Sequence, residues 1–204
     1  MRKQTSAIER LFSLPPLFRG GDLTVRFQWT SKTASHYIYL WKQRGFVQSL
    51  GGHSDVFANL LVNPSPNWEE ALVMAMPSAT MVGVEVLLRA GWVTQIQQRP
   101  SVAVMAGHPR FATERFTVVC RQPQWFAQVA DAGGLCSGGG APALKPAWAL
   151  ADMLATEGWG ACGLHPDDLD LDCISSEDED EWVAACAAFG LELGPLESIA
   201  VPSR

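Results

Sequence analysis

The chain has 204 residues, of which 48% are hydrophobic and 18% are charged. This length can bury the cores of one large or two small domains, and the composition excludes an intrinsically disordered polypeptide. No apolar run approaches the length of a transmembrane helix, and the start, Met1–Gln4, lacks the apolar core of a signal peptide. We therefore expect a cytoplasmic protein that does not enter a membrane. Five cysteines without a Cys-x-x-Cys pair predict reduced thiols rather than disulfides.

Charge is distributed unevenly along the sequence. The whole chain has a formal net charge of -6, which by itself argues against a nucleic-acid partner because phosphates repel an acidic surface. Residues 1–60, however, contain eight lysines and arginines and three acidic residues, which gives them a net charge of +5. The rest of the chain therefore has a net charge of -11. This asymmetry predicts a basic module that meets a polyanion and an acidic module that does not.

Two short helices are predicted in the first 30 residues. The first begins at a capping box formed by Ser6 and Glu9, and Pro15-Pro16 ends it. The second is predicted to begin with Asp22 as its N-cap. A break at 29–30 then separates it from a longer third helix.

The third helix is predicted from Ser31 to Arg44, with Thr30 or Ser31 as its cap and Gly45 at its end. Its apolar residues follow helical spacing and form one stripe, Ala34, Tyr37, Ile38 and Trp41. The opposite face carries hydrogen-bonding side chains suited to phosphates and base edges, namely Lys32, Thr33, Ser35, His36, Tyr39, Lys42 and Gln43.

A hairpin of two strand candidates, 46–50 and 56–60, follows the third helix and is joined by the glycine-containing loop 51–55. Three helices followed by such a hairpin are the element order of a winged helix-turn-helix, in which the third helix enters the major groove of double-stranded DNA. We therefore predict a DNA-binding domain over 1–62. Four further residues complete the predicted contacts: Arg44 after the helix, His53 on the wing, and Arg19 and Arg26 as weaker phosphate-contact candidates.

Two other interpretations of this segment remain. It could be a small helical bundle with an appended hairpin, or a winged helix that contacts only other proteins. His36 and His53 could be metal ligands, but neither has a second ligand at helical or turn spacing, so we interpret them as polar surface residues.

A second domain is predicted over 68–204, after a linker at 63–67 that contains two prolines. Its predicted helices are 68–76, 81–90, 123–130 and 146–155, and its predicted strands are 92–97, 101–106 and 115–120. The predicted fold class is thus α+β, with a winged helix-turn-helix followed by an α+β domain that has a small, mainly antiparallel sheet. The glycine run 138–140 lacks the residues of a phosphate-binding loop.

The acidic stretch 167–181 is the one segment where enzyme chemistry could reside. Asp168, Asp170 and Asp172 alternate as the carboxylates of a metal-dependent nucleotidyltransferase do, but no Gly-Ser turn for a triphosphate precedes them. The favoured interpretation is an amphipathic segment that buries Leu169 and Leu171 and leaves its aspartates in water. Residues 177–181 are expected to be a solvated loop or helix start, with docking of a basic partner as the alternative.

Three stretches resemble AbiEi-type antitoxins, the transcriptional regulators of type IV toxin-antitoxin systems. Residues 33–45 resemble the recognition helix and the turn to the wing, 78–92 resemble a helix that opens the second domain, and 145–152 resemble a later helix that begins near a proline. The resemblance implies an autorepressor that binds its own promoter, with antitoxin activity in the second domain. It also implies a cognate nucleotidyltransferase-like toxin, which in these systems generally forms no stable complex with its antitoxin. We expect no catalytic residue, metal or cofactor.

Overall fold

A computed structural model describes residues 6–51, 53–105, 113–137 and 139–199 of the chain. The chain divides into two compact units, Met1–Pro77 with Arg110–Thr113, and Ser78–Pro109 with Glu114–Arg204. The predicted linker, 63–67, therefore lies inside the first unit, and so does the helix predicted over 68–76. The reason is tertiary: this helix packs against the last strand of the first unit.

The first unit contains four helices and one small sheet among its described residues. Its elements are α1 (Ala7–Phe12), β1 (Leu17–Arg19), α2 (Gly20–Phe27), α3 (Ser31–Gln43), β2 (Val47–Ser49), β3 (Val56–Asn59) and α4 (Trp68–Ala75). The strand order is β1-β3-β2, and both pairings are antiparallel. The hairpin formed by β2 and β3 was predicted, whereas β1 was not.

The starts of the first two helices show how local capping acts. The predicted capping box of α1 is confirmed, because the Ser6 hydroxyl accepts the Glu9 N–H and the Glu9 carboxylate accepts the Ser6 N–H. The predicted start of α2 is wrong by three residues. Asp22 lies inside the helix, and its carboxylate reaches back to accept the Arg19 N–H at 2.7 Å. Asp22 thus caps the helix from its third residue.

The core of the first unit joins all three leading helices to the sheet. It is formed by Leu11, Leu14, Phe18, Leu23, Ala34, Ile38, Trp41 and Val47. One polar side chain, Asn59, is fully buried beside this core, and its Nδ2 donates to the carbonyl of Leu11 at 2.8 Å. A hydrogen bond to a carbonyl in the last turn of the helix thereby links α1 to β3.

The second unit surrounds a five-stranded sheet. Its elements are β4 (Thr80–Val82), α5 (Val84–Ala90), β5 (Ser101–Met105), β6 (Thr117–Arg121), α6 (Pro123–Asp131), β7 (Leu135–Ser137), β8 (Pro142–Leu144), α7 (Pro146–Thr156), two 3-10 turns (Pro166–Asp168 and Leu171–Cys173), α8 (Ser176–Phe189) and α9 (Leu196–Ile199). The strand order is β6-β5-β4-β8-β7. The β5–β6 and β4–β8 pairs are parallel and the other two pairs are antiparallel, so the sheet is mixed rather than mainly antiparallel.

One predicted helix of this unit begins three residues too early, and one predicted strand is wrong. The predicted helix 81–90 begins instead as strand β4, and Gly83, with a φ of +78°, separates that strand from α5. The predicted strand 92–97 has no strand structure. Its first residue, Trp92, is buried, and its carbonyl accepts the Asp170 N–H at 2.8 Å rather than a sheet partner.

Helix α7 forms the centre of the second unit. All residues from Ala147 to Leu154 are buried, and the helix packs against both α5 and α8. A helix that is apolar on every side must be enclosed on every side. The Trp148 indole N–H donates to Glu181 at 2.7 Å, and Lys145 pairs with the same carboxylate. None of the helices in the described ranges has the length and apolar character needed to cross a membrane.

Candidate nucleic-acid interface

Helix α3 presents one buried side and one exposed side. The Thr30 hydroxyl caps it by accepting the Thr33 N–H, and Gly45, with a φ of +70°, follows its end. The predicted apolar stripe is confirmed in that Ala34, Ile38 and Trp41 are buried, and Tyr37 is half-buried next to them. The polar residues of the helix must therefore face the opposite way.

The opposite side, here called the α3 outer face, comprises the exposed residues Lys32, Ser35, His36, Tyr39, Lys42 and Gln43. Lys32, His36, Tyr39 and Gln43 follow one another at spacings of four, three and four residues, which places them in one row along the helix. Tyr39 is 59% exposed, although it is aromatic. Such a row of donors and acceptors around a solvent-exposed ring can contact another polar surface.

Two residues that were predicted to contact DNA lie outside the α3 outer face. Thr33 is half-buried, and its hydroxyl lies 2.9 Å from the hydroxyl of Thr30, so it belongs to the helix cap. Arg44 is exposed and directly follows the last helical residue.

An aromatic cluster packs against the apolar side of α3. It was not predicted from the sequence. The Trp29 ring stacks on Tyr37 at a centroid distance of 4.4 Å and lies 6.2 Å from Trp41. Phe27, at the end of α2, lies 5.1 Å from Trp29, and the Arg10 guanidinium lies 5.2 Å above the Trp29 ring. Since the cluster joins α1, the α2–α3 turn and α3, it fixes the direction in which the α3 outer face points. The aromatic residues Phe27, Trp29, Tyr37 and Trp41, which lie close together in the sequence, were the signal that could have predicted this cluster.

The turn between α2 and α3 consists of Gln28, Trp29 and Thr30. Gln28 adopts a left-handed conformation, with a φ of 56° and a ψ of 34°. Among the described residues it is the one non-glycine with a positive φ. This tight turn sets α2 and α3 at an angle to each other within one helical hairpin.

The loop between β2 and β3 places His53 at an exposed position. Gly51 adopts a φ of +134°, which L side chains rarely take. The hydroxyl of Thr113, which belongs to the same unit, donates to the carbonyl of Leu50 at 2.9 Å. The base of the loop is therefore held by a residue distant in sequence.

Arg19 and Arg26, the two weaker candidates, lie in different environments. The Arg19 guanidinium pairs with Asp55 at 3.3 Å and also donates to the carbonyl of Met74, so it is engaged inside the unit. Arg26 is exposed on α2. In the part of the chain that the structure describes, five basic side chains of this unit form no ion pair: Arg10, Arg26, Lys32, Lys42 and Arg44.

Two of the three aspartates considered for a metal site use their carboxylates in local turns. The Asp168 carboxylate accepts the His165 N–H at 2.7 Å, and the Asp170 carboxylate accepts the Asp172 N–H at 3.2 Å. Leu169 is buried, as expected, while the side chain of Leu171 lies outside the described set. Across the described ranges, no group of three or more His, Cys, Asp or Glu residues is arranged to hold a metal ion.

The second acidic run, 177–181, forms the start of α8 rather than a loop before it. Ser175 caps this helix together with Asp178, and the acidic side chains lie in its first turns. Glu181 is only partly solvated, because it accepts the Trp148 indole N–H and pairs with Lys145. Part of the acidic run therefore stabilises the fold of the second unit.

No protein-family model and no curated protein matches this sequence. Among solved structures, the chain is similar to a crystal structure of the Rv2827c protein from Mycobacterium tuberculosis. The two superpose with a TM-score of 0.54 over 90% of this chain and 73% of the other, and they share 16% sequence identity. At this level of identity, the similarity shows that the two proteins share an α+β fold.

Proposed function

We propose that the first unit is a winged helix-turn-helix that binds double-stranded DNA, with α3 in the major groove and the β2–β3 hairpin on the flanking backbone. The observation that carries this proposal is the α3 outer face, a row of exposed polar side chains on a helix whose other side is fixed in the core. The major groove, about 12 Å wide, admits one α-helix. The turn before α3 and the hairpin after it have the order that this docking requires.

The two lysines of α3 suit contacts to phosphates. They are ten residues apart, so their Cα atoms are separated by ~15 Å along the helix axis. Lys42 lies toward one edge of the α3 outer face, whereas His36, Tyr39 and Gln43 lie along its middle. In this arrangement the lysines position the helix on the sugar-phosphate backbone of DNA. The residues along the middle of the α3 outer face, particularly Gln43, contact base edges.

Charge supports the same assignment. Residues 1–60 carry a net charge of +5 against -11 for the rest of the chain. The three acidic residues of 1–60 are used internally: Glu9 and Asp22 cap helices, and Asp55 pairs with Arg19. The unpaired cations are therefore not cancelled by neighbouring carboxylates, while the second unit repels DNA.

We further propose that the protein is a transcriptional autorepressor and antitoxin of a type IV system, acting in the cytoplasm on its own promoter. The support is the resemblance of 33–45, 78–92 and 145–152 to AbiEi-type antitoxins. The second unit then carries the antitoxin activity against a nucleotidyltransferase-like toxin, without a stable complex. Co-expression of the full chain with the toxin candidate from the adjacent reading frame tests this part. Unrelieved toxicity would contradict the antitoxin role and leave DNA binding unaffected.

DNA binding is tested by fluorescence anisotropy of the full chain on its own upstream DNA across a series of salt concentrations. The logarithm of the association constant should fall linearly with the logarithm of salt concentration. Each phosphate contact contributes about 0.9 to the slope. Lys32→Ala and Lys42→Ala should each weaken binding and reduce the slope by about that amount. Arg99→Ala, which removes one exposed positive charge from the second unit, is the matched control and should leave both unchanged.

Base reading is separated from phosphate binding by Gln43→Ala. This variant keeps both lysines, so its salt slope should equal that of the parent protein, while the preference for upstream DNA over scrambled DNA should fall. Lysine variants with unchanged affinity and slope would refute the major-groove assignment. They would favour a winged helix that contacts only proteins.

A further inference from the structure

The second unit carries a groove between helix α8 and the segment that follows it, here called the α8 groove. One wall is α8, and the other is the segment 191–195, which runs back along the helix. The groove has a volume of about 460 Å³. Its lining is mainly apolar and includes Trp182, Val183, Cys186, Ala187, Leu191 and Leu193. Glu179 and Asp180 line it toward the start of α8.

The α8 groove is preformed, because hydrogen bonds attach the returning segment to the helix. The Trp182 indole N–H donates to the carbonyl of Gly194 at 3.0 Å. The backbone N–H of Leu196 donates to the Glu179 carboxylate at 3.0 Å. A partner that enters the groove therefore does not have to order this segment first, which lowers the entropic cost of binding.

Each wall of the groove leaves a large apolar side chain in solvent. Val183, on α8, is 65% exposed, and Leu193, on the returning segment, is 41% exposed. Ala187, one helical turn after Val183, is exposed as well. Apolar side chains that line one groove beside acidic residues are typical of a surface that contacts another molecule.

Charge determines what kind of molecule fits. Residues 146–203 contain 13 aspartates and glutamates and no lysine or arginine. Two of these charges are compensated, since Glu181 pairs with Lys145 and Asp152 pairs with Arg121. Other acidic residues remain at the surface: Asp180 in the groove lining and Glu192 beside Leu193 are both exposed. A surface of this sign attracts cations and repels acidic partners.

We propose that the α8 groove binds a basic amphipathic helix of another protein. Its apolar side chains insert between Val183 and Leu193, and its lysines or arginines face Asp180 and Glu192. The lining from Glu179 to Ala187 covers eight residues of α8, ~12 Å along the axis. Two side chains at positions i and i+4 of a partner helix, ~6 Å apart, both fit within this length.

A separate protein suits the groove better than a second copy of this chain. A copy would have to dock its basic first unit on the acidic second unit, which is a head-to-tail contact. Such contacts continue into open chains unless the rotation closes a ring. The proposed site lies within the second unit and is independent of the proposed DNA interface.

The probe is a fluorescein-labelled peptide of about 15 alanines and lysines that has two leucines four positions apart. The full chain is titrated into the peptide at about 0.15 M salt, and fluorescence anisotropy is measured. Saturable binding is expected. Serine in place of both leucines should weaken it at least about tenfold, because the apolar contact is lost. Glutamate in place of the lysines should abolish it.

Variants of the chain locate the binding site. Val183→Ser and Leu193→Ser, on opposite walls, should each weaken peptide binding about tenfold. The matched control is Val25→Ser on α2, where the valine is 82% exposed, and it should leave binding unchanged. Asp180→Asn should weaken binding and reduce its salt dependence, whereas Asp131→Asn, at the exposed end of α6, should change neither. Melting curves show whether each variant is folded.

Three results would overturn the proposal. The first is the absence of saturable binding by the leucine peptide. The second is equal binding of the leucine and serine peptides, or equal effects of Val183→Ser and Val25→Ser, because charge alone would then explain the binding. The third comes from light scattering of the chain without peptide. Self-association that Val183→Ser abolishes and the peptide displaces would assign the groove to a second copy.

Discussion

Gln28 provides a sharp test of how the turn between α2 and α3 is built. A non-glycine residue in the left-handed conformation costs about 1–2 kcal/mol, and the exposed Gln28 side chain makes no hydrogen bond that could offset it. Gln28→Gly removes this strain but adds about 0.4–1 kcal/mol of unfolded-chain entropy. The net expectation is a stabilisation of about 0.5–1 kcal/mol. This corresponds to a rise in Tm of roughly 2 °C if the chain unfolds as one unit.

The series of substitutions at this position is more informative than one variant. Stability should follow the order Gly, Asn, Gln, Val, because asparagine tolerates the left-handed region and a β-branched residue does not. Thermal melts followed by circular dichroism give the order directly. DNA affinity should be unchanged in Gln28→Gly, since the side chain lies outside the α3 outer face.

The matched control is Gln48→Gly in β2, where an exposed glutamine has extended backbone. The same chemical change should there destabilise the protein by about 0.5–1 kcal/mol. If both glycine variants lower Tm, the strain argument for the turn is refuted. A Gln28→Val variant as stable as the parent protein would refute it equally.

Two further predictions concern packing and thiol reactivity. Gly134→Ala should destabilise the protein by about 1–3 kcal/mol, because the added Cβ would lie 2.5 Å from the Trp148 ring. Gly21→Ala is the control, because there is open space around Gly21, and this variant should be as stable as the parent protein. Equal urea midpoints for the two variants would contradict the prediction. Burial raises the pKa of the Cys186 thiol to about 11, so at pH 8 only roughly one in a thousand of these thiols is ionised. Mass spectrometry after maleimide treatment should find the exposed Cys120 modified well before Cys186, whose labelling should rise as the pH approaches 11.

Local signals in the sequence predicted α1 and α3 of the first unit well. The capping box of α1, the apolar stripe of α3 and the glycine after it depend on residues within a few positions of each other. Such patterns specify a helix because its hydrogen bonds and its faces repeat over three or four residues. They also identified the polar side of α3 before its surroundings were known.

Local patterns failed where partners are distant in sequence. Strand β1 has three residues and pairs with β3 about forty positions later, so neither its length nor its neighbours reveal it. The parallel pairing of β4 with β8 likewise joins segments about sixty residues apart. A short apolar stretch such as 92–97 has the composition of a strand, but only the presence of a hydrogen-bonding neighbour makes it one.

The sequence by itself determined most of the helices, which side of α3 is polar, and how charge is divided between residues 1–60 and the rest of the chain. Only the tertiary structure determined that Arg19 forms an ion pair with Asp55 and that Arg10 lies over the Trp29 ring. It also paired Lys145 with Glu181 of α8. The physical reason is that periodicity and capping act over a few residues, whereas ion pairs and ring contacts depend on which distant segments the folded core brings together.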